Sequence, residues 1–233
     1  MKLAIIPARG GSKRIPRKNI RPFHGRPIIG WSIGAARASG LFDRIVVSTD
    51  DAEIAEIARS EGAEVPFLRP ADLSDDHTGT VAVINHAIRW HLEAGMAVDD
   101  VCCIYATAPF VTASTLAEGH RLLSARGQGF AFSVTRYGFP IQRALHLRDD
   151  GTLAMFQPQH LTTRSQDLEE AYHDAGQFYW GKAQAFLDNL PLFSEHAVPV
   201  ILPSHLVQDI DTLEDWRRAE LMFSALRAEG AYA

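Results

Sequence analysis

Residues 5–19, Ile5-Ile6-Pro7-Ala8-Arg9-Gly10-Gly11-Ser12-Lys13-Arg14-Ile15-Pro16-Arg17-Lys18-Asn19, narrow the folds open to this chain more than any other stretch. The apolar run Leu3 to Ile6 reads as a buried strand of a parallel sheet, because it is short and continuous rather than alternating. A glycine-bearing loop follows it, carrying Arg9, Lys13, Arg14, Arg17 and Lys18. That places the loop at the carboxyl end of a strand, the usual ligand side of an open α/β sheet. Gly10 and Gly11 lack Cβ atoms and can take positive φ, which lets backbone N–H groups turn toward an anion. Cations so closely spaced repel one another, and a polyanion relieves that repulsion. A triphosphate fits. The P-loop pattern does not, since Pro16 follows Lys13 too soon for a helix to begin there, and the dinucleotide fingerprint lacks its third glycine.

Alternating strand and helix patterns continue along the chain. Strands are expected at Arg44–Ser48, Val101–Tyr105, Gly129–Thr135, Gln177–Gly181 and Ala197–Leu202. Helices are expected at Ile28–Ala38, Ala52–Arg59, Thr80–Ala94, Ala113–Ala125, Lys182–Asn189 and Thr212–Ala228. This is the pattern of an α/β fold with a doubly wound, mostly parallel, Rossmann-like sheet. With 233 residues it forms a single domain, 1–233. From 136 to 171 the pattern breaks into turns and short β-like pieces, Ile141–Leu147 and Thr152–Phe156, which reads as a β-hairpin excursion from the sheet. An isolated hairpin is marginal in water, so this excursion is expected to pack on a second copy and make a homodimer.

The net charge of -5, with the basic residues concentrated in one loop, argues against a nucleic-acid binder. No stretch approaches the ~20 apolar residues of a membrane span, and the N-terminal residues lack the apolar core of a signal peptide. Adjacent Cys102 and Cys103 fall on opposite faces of a strand and cannot form a disulfide framework, so a cytoplasmic protein with reduced cysteines is expected.

Within the loop, Arg9, Ser12, Lys13 and Lys18 are assigned to the triphosphate, together with Ala8 and the backbone N–H groups of Gly10, Gly11, Ser12 and Lys13. Asn19 offers a donor and an acceptor from one amide, which suits a pyrimidine edge. Asp209-Ile210-Asp211 puts two carboxylates on the same side of an extended backbone, close enough to share a hard cation, Mg²⁺, with phosphate oxygens. Asp211 is equally placed to cap the helix that follows. The ten histidines show no zinc-ligand spacing.

The run Ile6 to Asn19 resembles the N-terminal signature of the sugar-acid (acylneuraminate) cytidylyltransferases. The likeness continues through Val47-Ser48-Thr49-Asp50, Leu68-Arg69-Pro70, Thr107-Ala108-Pro109 and Asp209-Ile210-Asp211. The basic run Ser12–Asn19 and Tyr105-Ala106-Thr107-Ala108-Pro109-Phe110 point to the pseudaminic acid branch of that family. The resemblance implies a nucleotidyltransferase that moves CMP from CTP to a nine-carbon 2-keto sugar acid, with Mg²⁺ as cofactor. It implies that Asn19, Arg69, Asp76 and Thr80 approach the nucleotide. It also implies that Tyr105, Thr107, Arg164 and Gln177 approach the sugar, and that Arg9, Lys18, Asp209 and Asp211 carry the chemistry. Tyr105 stands where sialate members typically place a glutamine, and a more apolar wall suits a dideoxy sugar. The alternatives are a cytidylyltransferase for neuraminic, legionaminic or 3-deoxy-octulosonic acid, or a non-catalytic nucleotide-binding regulator, which has no use for the paired aspartates.

Overall fold

The computed structural model describes residues 1–75 and 78–232. Strand β1 (Lys2–Pro7) leads into the basic loop, which ends in a 3₁₀ turn at Lys18–Ile20 and a small ladder of β2 (Pro22–Phe23) and β3 (Arg26–Pro27). Then come α1 (Ile28–Ser39), β4 (Arg44–Ser48), α2 (Ala52–Ser60), α3 (Thr80–Glu93), β5 (Asp100–Ile104), α4 (Ala113–Arg126) and β6 (Phe130–Arg136). The chain continues with β7 (Leu145–Leu147), β8 (Leu153–Met155), β9 (Tyr172–Lys182), α5 (Ala183–Leu187), β10 (Ala197–Leu202) and α6 (Leu213–Ala228).

Six strands form one sheet in the order β10-β6-β9-β5-β1-β4. β1 runs parallel to β4 and β5, and β10 runs parallel to β6. β9 lies antiparallel between β5 and β6. The sheet is therefore mostly parallel, as the alternating pattern requires. β9 differs from expectation in its start, Tyr172 rather than Gln177, because its pairing with β6 resumes beyond an irregularity. In the region between β6 and β9, Ile141–Arg143 is a 3₁₀ turn where extended backbone is expected, and β7 pairs antiparallel with β8.

Both faces of the sheet are covered. Ile29 and Ile33 of α1, Ile54 of α2 and Leu116 and Leu123 of α4 pack on one face with Cys102. Ile84 and Ile88 of α3 and Phe186 of α5 pack on the other with Cys103. The two cysteines thus lie on opposite faces, both buried and unbonded. A third cluster joins Trp216 and Phe223 of α6 to Phe23, Phe110, Ile210 and, from the basic loop, Ile15. Ile15 is 1% exposed, so the loop is pinned at its centre by apolar burial while its charged side chains remain outside.

The irregularity in β9 also bears on the site. Phe132 pairs with Tyr179 and Val134 with Asp174, so a two-residue step on β6 matches a five-residue step on β9. Gly176 takes φ +61° inside this bulge. Ser133 holds it, its Oγ accepting from the Phe178 N–H (3.2 Å) and donating to the Phe178 carbonyl (3.3 Å). Residues two apart on a strand share a face, and the bulge therefore brings Asp174 and Tyr179 to the same face. Among the described residues no helix is long and apolar enough to cross a membrane.

Candidate active site

A cavity of about 250 Å³ opens at the carboxyl ends of β1 and β5. Arg9, Ser12, Lys13, Arg14, Lys18 and Asn19 line it from the loop, and Asp211 from the approach to α6. Arg69, Thr78 and Thr80 close one side, and Tyr105, Ala106 and Thr107 the other.

The glycines do not behave as expected. Neither Gly10 nor Gly11 has positive φ, and the left-handed residue of the loop is Arg17, at φ +55°. Gly10 is needed for space instead, because a Cβ there would lie 2.7 Å from Asp51 Oδ2. Its N–H donates to Asp50 Oδ1 at 2.9 Å, and the Ser12 N–H donates to the Gly10 carbonyl at 3.0 Å. These donors shape the loop and are not aimed into the cavity. Ala8 is buried behind it, its N–H donating to the Ser48 carbonyl at 2.9 Å.

Carboxylates hold the cations in place. Arg17 reaches Asp51 with both terminal nitrogens (2.5 and 3.1 Å) and also pairs with Glu53. Asp51 at the same time caps α2, accepting the Ile54 N–H at 3.0 Å. The hydrogen bond from Arg17 holds the Asp51 carboxyl down at about 2. Arg14 Nη2 lies 2.9 Å and Lys18 Nζ 3.3 Å from Asp211 Oδ1, and Lys18 also donates to the Ile210 carbonyl at 2.7 Å. Arg9 donates to the Asp75 carbonyl at 2.9 Å. Asn19 is buried and its Nδ2 donates to the Arg9 carbonyl at 2.9 Å, so the donor half of the amide braces the loop.

Arg69 differs from these. It is 6% exposed, its Nε and Nη2 have no hydrogen-bond partner, and its ion pair with the Asp50 carboxylate is long, 3.9 Å, beyond hydrogen-bonding distance. Burial lowers its pKa. A buried guanidinium with unpaired N–H groups facing a cavity is costly to leave unmatched, and it calls for an acceptor from a ligand.

At the paired aspartates, Thr212 caps α6 in a reciprocal arrangement with Asp215, so Asp211 is not the cap. Its carboxylate is available to the cavity. Asp209 is not among the residues that line the cavity; it stands beside Gly176, where a Cβ would come 3.9 Å from its Cγ. Desolvation first, and then the Asp211 charge, raise the Asp209 carboxyl from its ordinary value. A cation between the two relieves that repulsion. Among the described residues there is no cluster of three or more such ligands, so a cation held here takes two carboxylates and completes its shell with phosphate oxygens and water.

The residues expected at the sugar divide into two groups. Tyr105 and Thr107 line the cavity, Tyr105 with its ring set against Tyr179 at 5.3 Å. Gln177 is buried in the bulge, its side-chain Nε2 donating to the Leu206 carbonyl and its backbone carbonyl accepting the Tyr105 N–H at 2.9 Å. It supports the wall without lining it. Arg164 is exposed and paired with Asp167 at 2.7 Å, away from the cavity lining. Asp76 lies outside the described residues. Arg14 as a partner of Asp211, and Asp50 as the acceptor for Gly10, were not foreseen; adjacent acids at a strand end opposite a basic loop were the available signal.

The family model described as cytidylyltransferase matches residues 3–187. The chain belongs to the cytidylyltransferase family. It is 45% identical to the pseudaminic acid cytidylyltransferase of Campylobacter jejuni, over 95% of both chains. It is 31% identical to the CMP-N,N'-diacetyllegionaminic acid synthase of Legionella pneumophila, over 94% of each. Among solved structures, CMP:2-keto-3-deoxy-manno-octonic acid synthetase complexed with CTP has a TM-score of 0.69 at 13% identity, covering 96% of this chain and 98% of that one. The fold is thus shared with that synthetase, and the enzyme class, from the family and its relatives, is nucleotidyltransferase.

The Arg17–Asp51 pair has a pH signature. Because the folded carboxyl lies below its unfolded value of 3.8, its contribution is complete above that value and is lost as pH falls through about 2. Asn at position 51 keeps the helix cap but not the charge. The urea-midpoint difference between wild type and Asp51→Asn is expected to be constant near neutrality and to shrink between about pH 4 and about pH 2. A difference that does not vary with pH contradicts the pairing.

Proposed function

We propose that the protein transfers CMP from CTP to the anomeric C2 hydroxyl of pseudaminic acid, a nine-carbon 2-keto sugar acid, releasing pyrophosphate in the cytoplasm. The observation that carries this reading is its similarity, across nearly the whole chain, to pseudaminic acid cytidylyltransferases. The buried guanidinium of Arg69, whose Nε and Nη2 have no hydrogen-bond partner, in a cation-lined cavity supports it. Arg9, Lys13 and Lys18 offset the charge of the β- and γ-phosphates, which leave together. The sugar hydroxyl oxygen bonds to the α-phosphorus as the bond to the β-phosphate oxygen breaks, and the hydroxyl proton passes to solvent. Asp209 and Asp211 would hold Mg²⁺, which would neutralise charge between phosphate oxygens and acidify the attacking hydroxyl. Tyr105 and Thr107 face the sugar, and Asn19, Arg69 and Thr80 the nucleotide. No nucleophile on the protein is needed; catalysis rests on positioning and electrostatics.

Pyrophosphate release should be greatest for CTP with pseudaminate, when the common ribonucleoside triphosphates are paired in turn with pseudaminate, N-acetylneuraminate, diacetyllegionaminate and 3-deoxy-octulosonate. Better use of another acid overturns the sugar assignment, and no release with CTP overturns the reaction. Asp211→Asn is expected to lower turnover by about 10²-fold or more, with thermal stability retained, since Thr212 and not Asp211 is the cap. Unchanged turnover at saturating Mg²⁺ removes Asp211 from the metal site.

The homodimer belongs to the same proposal. Phe139, Leu147, Leu153 and Phe156, in the 136–171 region, are exposed, more apolar surface than a β7–β8 hairpin can hide by itself. Replacing 138–158 with a short glycine linker is expected to shift the mass measured by light scattering to that of a monomer. A dimer mass that persists in this variant places the interface elsewhere.

A further inference from the structure

Arg14 has no part in the reaction described so far, although it lines the cavity and pairs with Asp211. Its place follows from its neighbours in sequence. Ile15 and Ile210 are both buried in the cluster built on α6, so Arg14, just before the first, and Asp211, just after the second, meet at the edge of that cluster. Two cations then share one oxygen: Arg14 Nη2 lies 2.9 Å and Lys18 Nζ 3.3 Å from Asp211 Oδ1.

The two cations are not equivalent. The Lys18 side chain is 20% exposed and is also tied to the Ile210 carbonyl at 2.7 Å, so it keeps its place whatever Asp211 binds. The Arg14 side chain is 67% exposed, and among the described residues Asp211 is its only ion-pair partner. Exposed pairs of this kind are weakly held, because two mobile side chains must be kept together. A divalent cation that approaches Asp211 meets two positive charges on the carboxylate it needs, and the repulsion is relieved by moving the one with no other tie. A metal arriving alone leaves Arg14 without an anionic partner. A metal arriving with a triphosphate gives it one, since phosphate oxygens accept a guanidinium as a carboxylate does, two N–H groups at a time.

We propose that Arg14 is a mobile counter-cation that holds Asp211 against the divalent metal and moves to the triphosphate as nucleotide enters, so that metal and nucleotide bind cooperatively. The inference rests on the reading of Asp211 as a metal ligand. Binding of Mn²⁺, followed by electron paramagnetic resonance with and without α,β-methylene CTP, tests it independently of turnover. Without nucleotide, Arg14→Ala is expected to bind Mn²⁺ about tenfold more tightly than the wild type at an unchanged melting temperature, while Arg14→Lys, which keeps the charge, stays within about threefold. In EDTA, Arg14→Ala should bind α,β-methylene CTP about tenfold more weakly and CMP within about twofold of the wild type. Coupling between two ligands is reciprocal, so the factor by which the analogue tightens Mn²⁺ should be smaller in Arg14→Ala. Mn²⁺ affinity that is unchanged or weaker in Arg14→Ala overturns the proposal, and so does unchanged affinity for the analogue. Asp211→Asn separates this failure from that of the metal reading. If Asp211→Asn leaves Mn²⁺ affinity in the presence of the analogue unchanged, Asp211 is no ligand and both readings fall; if that affinity drops while Arg14→Ala behaves as wild type, only the role of Arg14 falls.

Discussion

Repulsion among Arg9, Lys13, Arg14, Arg17 and Lys18 is the constraint on which the architecture of this site depends. Two unit charges about 4 Å apart near a protein surface interact by about 4 kcal/mol, so such a loop cannot be compact without counter-charges. They come from distant parts of the chain. Asp51 and Glu53, at the start of α2, take Arg17; Asp211, ahead of α6, takes Arg14 and Lys18. Asp50 takes the Gly10 N–H. Meanwhile Ile15 anchors the loop in the cluster built on α6. The result is a loop of defined shape whose charge is balanced at its edges, beside a cavity that Arg69 also lines with N–H groups that have no hydrogen-bond partner.

Much of this was legible in the sequence because the features that carry it are local. A continuous apolar run, a proline and a cluster of cations mark a strand-end basic loop without any tertiary information, and helix periodicity places α1 to α4 and α6. The reading of Gly10 failed because positive φ and crowding both select glycine, and only the position of Asp51 decides between them. The reading of Asp211 as metal ligand or cap was open for the same reason: either role puts an aspartate before a helix. The capping box of Thr212 and Asp215 removes the cap reading.

The least legible feature was the bulge in β9. Side chains alternate faces along a regular strand, and five-residue spacing would put Asp174 and Tyr179 on opposite faces. Gly176 and Ser133 together cancel that alternation, and Ser133 lies on a neighbouring strand far away in sequence. From this one irregularity follow the burial of Gln177, the tie between its carbonyl and Tyr105, and the pairing of Asp174 with Tyr179. The loop side and the sheet side of the cavity are thus built by different means. Charge organises the first, and the break in strand alternation the second.

Calorimetric titration of CTP, CDP and CMP into the protein, at low and moderate salt, tests most directly whether the basic loop is a triphosphate site. The account predicts that affinity falls by about tenfold for each phosphate removed, and that the preference for CTP narrows as salt screens the loop. CMP binding as tightly as CTP, with no dependence on salt, would contradict it.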